Sequence, residues 1–179
     1  MTKINDCKVE IRESLPRDAK GIEQLYVDAF PEEDLLSLVS ELQDIGQSVI
    51  SLVGTRDREI VGHIIFTICR IEGEKDKVAL LGPLAVTPSL QKQGIGSALV
   101  QSGFKKITNS NIGYVLVLGD PAYYSRFGFK TEDKVATPYP LPPEWHEAWQ
   151  SIELSDAAVP HEGRLIVPEP WRQSALWTS

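Results

Sequence analysis

The sequence predicts a mixed α/β fold, a β-sheet with helices on both of its faces. Three observations lead there. Apolar runs of strand length alternate with segments of helical periodicity in the order β-α-α-β-β-β-α-β-α-β. Two of the runs, residues 77–86 and 112–120, are nearly all apolar, as strands buried in the middle of a sheet are. The chain has 179 residues, 42% of them hydrophobic and 24% charged, a size and composition suited to one hydrophobic core. Residues 1–179 are therefore expected to form a single domain. Its regular core spans about 9–130, and the Pro- and Trp-rich part over 131–179 is expected to be less regular.

Taken in order, CKVEIRES at residues 7–14 alternates as a short strand. Pro16, Arg17 and Asp18 open a helix with Ile22, Leu25, Tyr26 and Ala29 on one face, and Pro31 stops it. Residues 32–46 predict a second helix with the stripe Leu35, Leu38, Val39, Leu42 and Ile45. Glu32, Glu33 and Asp34 would occupy its first turn, and Gly46 its C-terminal cap. The β-rich runs 48–55 and 59–71, separated by Arg56, Asp57 and Arg58, read as a hairpin. A charged turn, the apolar strand over 77–86, a helix after Gly96 and the strand over 112–120 follow. Ile95, Leu99, Gly103 and Ile107 recur every four residues in that helix, with Lys105 and Lys106 toward its C-terminal end. Asp120 then caps a short helix that Pro121 begins, and Gly128 turns the chain into another strand. Residues 163–167, GRLIV, predict an edge strand.

The formal net charge is −7 and no basic stripe is present, so a nucleic acid is not the expected partner. No run approaches the roughly 20 apolar residues of a membrane span, and the N-terminus has no apolar core of the signal-peptide kind. Cys7 and Cys69 are too few for a disulfide framework, which suits the cytoplasm. Cys69, closing an apolar run, reads as a buried structural thiol.

The most informative stretch is VTPSLQKQGIGSALV, residues 86–100. A glycine inside a helix costs roughly 1 kcal/mol relative to alanine, yet Gly94 and Gly96 stand where a helix is about to start. A buried strand, a short loop and a helix N-terminus together make an anion site, because the first helical N–H groups lack intrahelical acceptors and sit at the positive end of the dipole. Bare backbone at Gly94 and Gly96 lets a phosphate approach those groups. Leu99 stands where the dinucleotide fingerprint needs Gly or Ala, and the Gly-Lys-Ser/Thr of nucleoside-triphosphate loops is absent. By itself the glycine pair is also compatible with a left-handed turn and a close helix–strand contact.

What remains is Gln91-Lys92-Gln93-Gly94-Ile95-Gly96 behind Leu84-Ala85-Val86. This resembles the pyrophosphate loop of the GNAT superfamily of acyl-CoA-dependent N-acyltransferases. About 30 residues on stands Tyr124-Ser125-Arg126-Phe127-Gly128-Phe129, similar to the Tyr-x-x-x-Gly-Phe of that family. The resemblance spans roughly residues 9–129. It implies a mostly antiparallel central sheet splayed at the cofactor site, with acetyl-CoA as cosubstrate and no metal. It further implies that Leu84, Ala85 and Val86 hold the pantetheine arm and acyl carbonyl. Backbone N–H groups of Gln91, Lys92, Gln93, Gly94, Ile95, Gly96 and Ser97 would hold the pyrophosphate. An amine would attack the thioester directly in a ternary complex, and Tyr124 would protonate the departing thiolate, its ordinary pKa near 10 keeping it protonated at neutral pH. Tyr123 is expected to pack.

No motif marks a general base. Glu32, Glu33 and Asp34, between the first two helices, lie where acceptor sites often form in such proteins, but are expected to be ordinary helix-start acids. His146 and His161 lack the second histidine of a zinc motif, His63 reads as a hydrogen-bonded core or pocket-wall residue, and Ser97 lacks a nucleophile elbow. Trp145, Trp149, Trp171 and Trp177 are expected to pack, with an acceptor-pocket wall or a homodimer contact as alternatives. The expected function is acetyl transfer from acetyl-CoA to a small-molecule or peptide amine. The rivals are a non-catalytic acyl-CoA-binding module on the same scaffold, which would have no need of an acid at position 124, and a nucleotide-binding protein using only the glycine loop.

Overall fold

A computed structural model describes residues 8–155 and 159–178. Cys7, with which the first expected strand begins, lies outside them. The strands are β1 (Glu10–Glu13), β2 (Val49–Arg56), β3 (Glu59–Ile71), β4 (Lys77–Val86), β5 (Tyr114–Leu118), β6 (Lys130–Thr131), β7 (Val135–Ala136), β8 (Trp149–Glu153) and β9 (Gly163–Ile166). The helices are α1 (Ala19–Ala29), α2 (Leu36–Asp44), α3 (Ile95–Asn109), α4 (Pro121–Tyr124) and α5 (Ala175–Thr178). The fold class is the expected one, mixed α/β with a mostly antiparallel open sheet. By its internal contacts the chain divides into two compact units, residues 1–66 with 83–105, and residues 67–82 with 106–179. The long strands β3 and β4 each contribute to both.

In the first unit the strand order is β1-β2-β3-β4, with β1 antiparallel to β2 in the register Glu10 with Thr55 to Glu13 with Leu52. The expected hairpin closes through just Asp57 and Arg58, at φ 52° and 68°. Both lie in the left-handed region that a two-residue type I′ turn demands. Neighbouring residues of β3 show where the helices go. A Cβ on Gly62 would lie 2.8 Å from Leu99 of α3, whereas His63 meets Tyr26 of α1. Side chains alternate along a strand, so α3 and α1 cover opposite faces of β3. Of the predicted stripes, Ile22, Leu25 and Tyr26 on α1, Leu38, Val39 and Leu42 on α2, and Ile95, Leu99 and Ile107 on α3 are buried, while Ala29, Leu35 and Ile45 are half-buried. Each such side chain, fully buried, contributes about 1.5–3 kcal/mol.

Pro16–Asp18 opens the first helix as a 3₁₀ turn that runs into α1, with the Asp18 carboxylate accepting from Arg12 (2.7 and 2.9 Å) and from the backbone N–H of Leu15 (2.7 Å). One expectation needs correction here. Glu32, Glu33 and Asp34 are exposed in the turn before α2, which starts only at Leu36, so they are not in its first turn.

In the second unit the order is β3-β4-β5-β8-β6, with β9 antiparallel on β3 and β7 parallel on β9. β4 runs parallel to β5 over three pairs, Ala79 with Val115, Leu80 with Leu116 and Leu81 with Val117, and the pairing ends there. β8 is antiparallel to β5 across five pairs and carries β6 on its other side. The part beyond residue 130 holds short strands, β7, β8 and β9, between 3₁₀ turns and loops, and is less regular than the part before it. GRLIV forms β9, but it pairs with both β3 and β7, so it is no edge strand. Trp149, Trp171 and Trp177 are 4%, 9% and 1% exposed, and the Trp177 ring lies 5.8 Å from each of the other two. Their indole N–H groups are satisfied, Trp149 donating to Val135 O (2.7 Å), Trp171 to Thr67 Oγ1 (3.0 Å) and Trp177 to Trp171 O (3.0 Å). Trp145 is only half-buried. Among the described residues no helix is long and apolar enough to cross a membrane.

Candidate active site

The strand-to-helix passage belongs wholly to the first unit. Leu84 and Val86 are half-buried and Ala85 is buried. After β4 a 3₁₀ turn, Pro88–Leu90, is tied back to β3 by the Thr87 N–H donating to Val61 O (2.9 Å). The Gln91 amide folds onto the strand end and donates to Val86 O (3.1 Å). Gln91, Lys92, Gln93 and Gly94 are exposed, and Lys92 and Gly94 take left-handed φ values of 65° and 89°. A Cβ on Gly94 would meet nothing within 4 Å, so glycine serves backbone direction there and not space within the protein.

Bonding into α3 starts with Ala98 N–H donating to Gly94 O (3.0 Å). The N–H groups of Ile95, Gly96 and Ser97 precede it and have no intrahelical acceptor. The Ile95 side chain is buried, which leaves its backbone as what it offers outward. Helix α3 is 15 residues long, with its dipole behind those groups. A helix start of this kind has the donors and the dipole polarity that suit an anion.

Tyr124 belongs to the second unit. Asp120 caps its helix by accepting from Ala122 N–H (2.9 Å), Pro121 occupies the first position, and Gly128 follows at φ 104°. The ring is wedged between Phe129 (5.6 Å between centroids, edge-on), Phe127 and Tyr123. On its remaining side it lies against bare backbone, since a Cβ on Gly119 would come 2.5 Å from Tyr124 Cε2. Gly119 is itself held by its N–H donating to Ala148 O (2.9 Å) and by Gln150 Nε2 donating to its carbonyl (3.1 Å). Burial pushes the Tyr124 phenol well above its usual pKa, and neighbouring Tyr123 adds to the shift, so it stays protonated. Among the described residues no hydrogen bond engages its hydroxyl. Tyr123 instead lies beneath Arg126, whose guanidinium carbon is 4.6 Å from the ring centroid. Gly119 and Gln150 escape sequence reading because their link to Tyr124 is tertiary. The one local trace is the glycine between Leu118 and the Asp120 cap.

The histidines have occupations of their own. His63, fully buried, lies between Tyr26 Oη (2.8 Å from Nδ1) and Ser51 Oγ (2.8 Å from Nε2). Ser51 Oγ also accepts from Ser14 Oγ (2.8 Å) and Gln43 Nε2 (3.2 Å), which uses both lone pairs, so its own hydrogen goes to His63 Nε2. That count assigns the proton to Nδ1, which donates to Tyr26. Burial lowers the His63 pKa to about 3, leaving the ring neutral. His161 pairs with Glu74 (2.7 Å) and His146 with Asp133 (3.2 Å). Buried Cys69, its pKa pushed up by burial to about 12, is an unreactive thiol. Glu132 accepts from Tyr114 Oη, from Ser151 Oγ (2.6 Å) and from the N–H groups of Lys134 and Val135 (2.7 Å each). Burial would raise this carboxyl, but the four donors outweigh it and hold its pKa below the usual range.

Comparison with known proteins identifies the family. The model of the Acetyltransferase (GNAT) family matches residues 19–129. The uncharacterized N-acetyltransferase YjhQ of Escherichia coli (strain K12) is 32% identical over 167 residues, covering 89% of this chain and 92% of its own. A crystal structure of the GNAT-family N-acetyltransferase YhbS from Escherichia coli in complex with CoA superposes with a TM-score of 0.82 at 28% identity, over 93% of each chain. A GNAT-family acetyltransferase from Brucella melitensis in complex with acetyl-CoA gives 0.75 at 26% identity, over 92% of this chain and 99% of its own. A family match over residues 19–129, carrying both the strand–loop–helix cradle and the tyrosine turn, leaves one assignment: this chain belongs to the GNAT family and is an acyl-CoA-dependent N-acyltransferase.

Proposed function

We propose that the protein transfers an acetyl group from acetyl-CoA to a primary amine by direct attack in a ternary complex, with Tyr124 as the general acid. The observation that carries catalysis over mere binding is the Tyr124 phenol, seated on Gly119, kept protonated by burial and unengaged by other described residues. In this reading backbone groups of Leu84, Ala85 and Val86 bind the pantetheine arm and acyl carbonyl. The cradle from Gln91 to Ser97 takes the pyrophosphate, with Lys92 and Gly94 setting the loop direction and Ile95, Gly96 and Ser97 supplying helix-start N–H groups. The neutral amine attacks the thioester carbon to give a tetrahedral oxyanion. Collapse breaks the C–S bond, the thiolate leaves with its electron pair and takes the Tyr124 proton, and the proton lost by the amine nitrogen passes to solvent water, from which the Tyr124 phenolate is reprotonated. CoA and acetyl-CoA in the two structural relatives support this ligand.

The test has two arms. Calorimetric titration should show acetyl-CoA binding, with NAD and ATP far weaker. A panel of primary amines, followed by release of free CoA thiol, should reveal the acceptor. Binding of acetyl-CoA with no turnover over a broad panel, and no effect of Tyr124→Phe, would favour the non-catalytic reading.

A further inference from the structure

Where β4 leaves its partner β5, it does so at one residue. Pairing ends with Leu81 and Val117, and the next residue, Gly82, has φ 144°, outside what a side-chain-bearing residue readily adopts. Pro83 follows and has no N–H to continue a ladder. The indole of Trp171 lies over this bend, because a Cβ on Gly82 would sit 3.6 Å from its Cη2 and 3.9 Å from its Cζ2. That ring has little freedom. Its N–H donates to the buried Thr67 hydroxyl (3.0 Å), its backbone N–H to Pro168 O (3.0 Å), and its carbonyl accepts from the Trp177 indole (3.0 Å). Trp177 in turn stands edge-on to Trp149, the first residue of β8. A segment more than 85 residues further along the chain thus braces the bend that leads directly into Leu84, Ala85 and Val86.

We propose that Trp171 is a positioning residue for acyl-CoA: its indole, anchored on Thr67, holds β4 bent at Gly82 so that the backbone of residues 84–86 is presented to the pantetheine arm before the ligand arrives. This rests on the functional reading above and adds to it the residue that pre-organises that strand. A site whose binding-competent shape must first be selected loses apparent affinity in proportion to the competent fraction. If removing the ring lets the bent form fall to about a tenth of the population, Kd for CoA rises about tenfold. Turnover at saturating acetyl-CoA should change little, because among the described residues no ring contact joins Trp171 to Tyr124 or to the aromatic rings it packs on.

The experiment measures CoA affinity by calorimetry, KM and kcat separately, and thermal stability, for wild type, Trp171→Ala, Trp171→Phe and Thr67→Val. Leu42→Ala is the control: it opens a cavity in the core of the first unit at a fully buried residue with no part in this bend. Trp171→Ala is expected to weaken CoA binding and raise KM about tenfold with kcat nearly kept. Trp171→Phe, which keeps a plate over Gly82, should recover most of that, and Thr67→Val should fall between them. Leu42→Ala should lose stability but not affinity. If Trp171→Ala does not fold, Thr67→Val decides, since it only releases the indole anchor. Unchanged CoA affinity in the folded Trp171 and Thr67 variants, or an equal loss in Leu42→Ala, overturns the brace while leaving the acyltransferase reading intact. Failure of the wild-type protein to bind CoA at all would instead sink both.

Discussion

Residues 91–97 and residues 119–129 serve one proposed reaction with different materials. In the first stretch the proposed contacts are made by backbone: Gln91 is folded onto Val86, Ile95 is in the core, and the exposed loop turns through two left-handed φ values at Lys92 and Gly94. In the second the backbone is scaffolding for one phenol, seated on Gly119 and walled by Phe127 and Phe129. A backbone site is sensitive to what a substitution does to φ and tolerant of what the side chain is. A side-chain site is sensitive to single atoms.

The largest expected effect tests that contrast at one oxygen. Tyr124→Phe keeps the ring and its packing and deletes the proton donor. Single-turnover rates should fall roughly 10²–10⁴-fold, about 3–5 kcal/mol of transition-state stabilisation, with CoA affinity nearly unchanged. Tyr123→Phe, as the control, should stay near wild type. Equal rates for wild type and Tyr124→Phe would remove the side-chain half of the comparison.

Next in size is Gly119→Ala. The new methyl would lie 2.5 Å from Tyr124 Cε2, so the ring must move. A displacement of about 1 Å can cost on the order of 10²-fold in turnover, and CoA binding should again be spared. Wild-type kcat in a folded Gly119→Ala variant would show that the exact seat of the ring is immaterial.

Acid should separate the units themselves. His63, in the first unit, has its folded pKa lowered from 6.5 to about 3 by burial, so the unfolded chain takes up the proton first. The neutral form's advantage is whole above pH 6.5 and is lost as pH falls toward 3. At pH 5 the loss is about 2 kcal/mol. Glu132, in the second unit, is held below the carboxylate range by its donors, so its contribution is lost only on acidification below about pH 4.5. Amide exchange, corrected for intrinsic rates, should therefore show protection in the first unit declining between pH 6.5 and 5 while the second holds. A His63→Gln variant should flatten the first decline. The same pH slope in that variant would assign the effect elsewhere.

The smallest effect is on the backbone half. Gly94→Val forces a β-branched residue to φ 89°, which costs roughly 1–2 kcal/mol, and CoA affinity should fall about 5–30-fold. Gly94→Asn should lose less, since asparagine visits this region more readily. Equal losses in the two would mean that the side chain's bulk, and not the turn, is what matters.

Most of this was legible wherever the signal is local. The stripes of α1, α2 and α3, the 57–58 hairpin, the Asp120 cap and the glycine loop each depend on residues a few positions apart. β8 escaped because Trp149 and Gln150 are consecutive and both buried, so the strand has no alternation to read. β7 is two residues long, too short for any period, whereas the turn at Gly128 announced the equally short β6. Glu32, Glu33 and Asp34 looked like a first helical turn by composition, but α2 begins only after them, at Leu36. The tryptophans beyond residue 140 read as packing residues, which Trp149, Trp171 and Trp177 are. What composition could not give was their partners, since the seat of Trp171 at Gly82 and Thr67 spans about a hundred residues.

The two units are also interleaved in sequence, and that has a consequence for how the protein is made. Residues 67–82 of the second are synthesised before residues 83–105 of the first. When Lys105 has left the ribosome the first unit has every residue it needs. β4, by contrast, waits with its apolar side chains Val78, Leu80 and Leu81 for β5, and its neighbour β3 waits longer still for β9. The second unit closes only when Trp177 arrives. During that interval of translation the half-finished sheet is the stretch a chaperone would have most reason to shield.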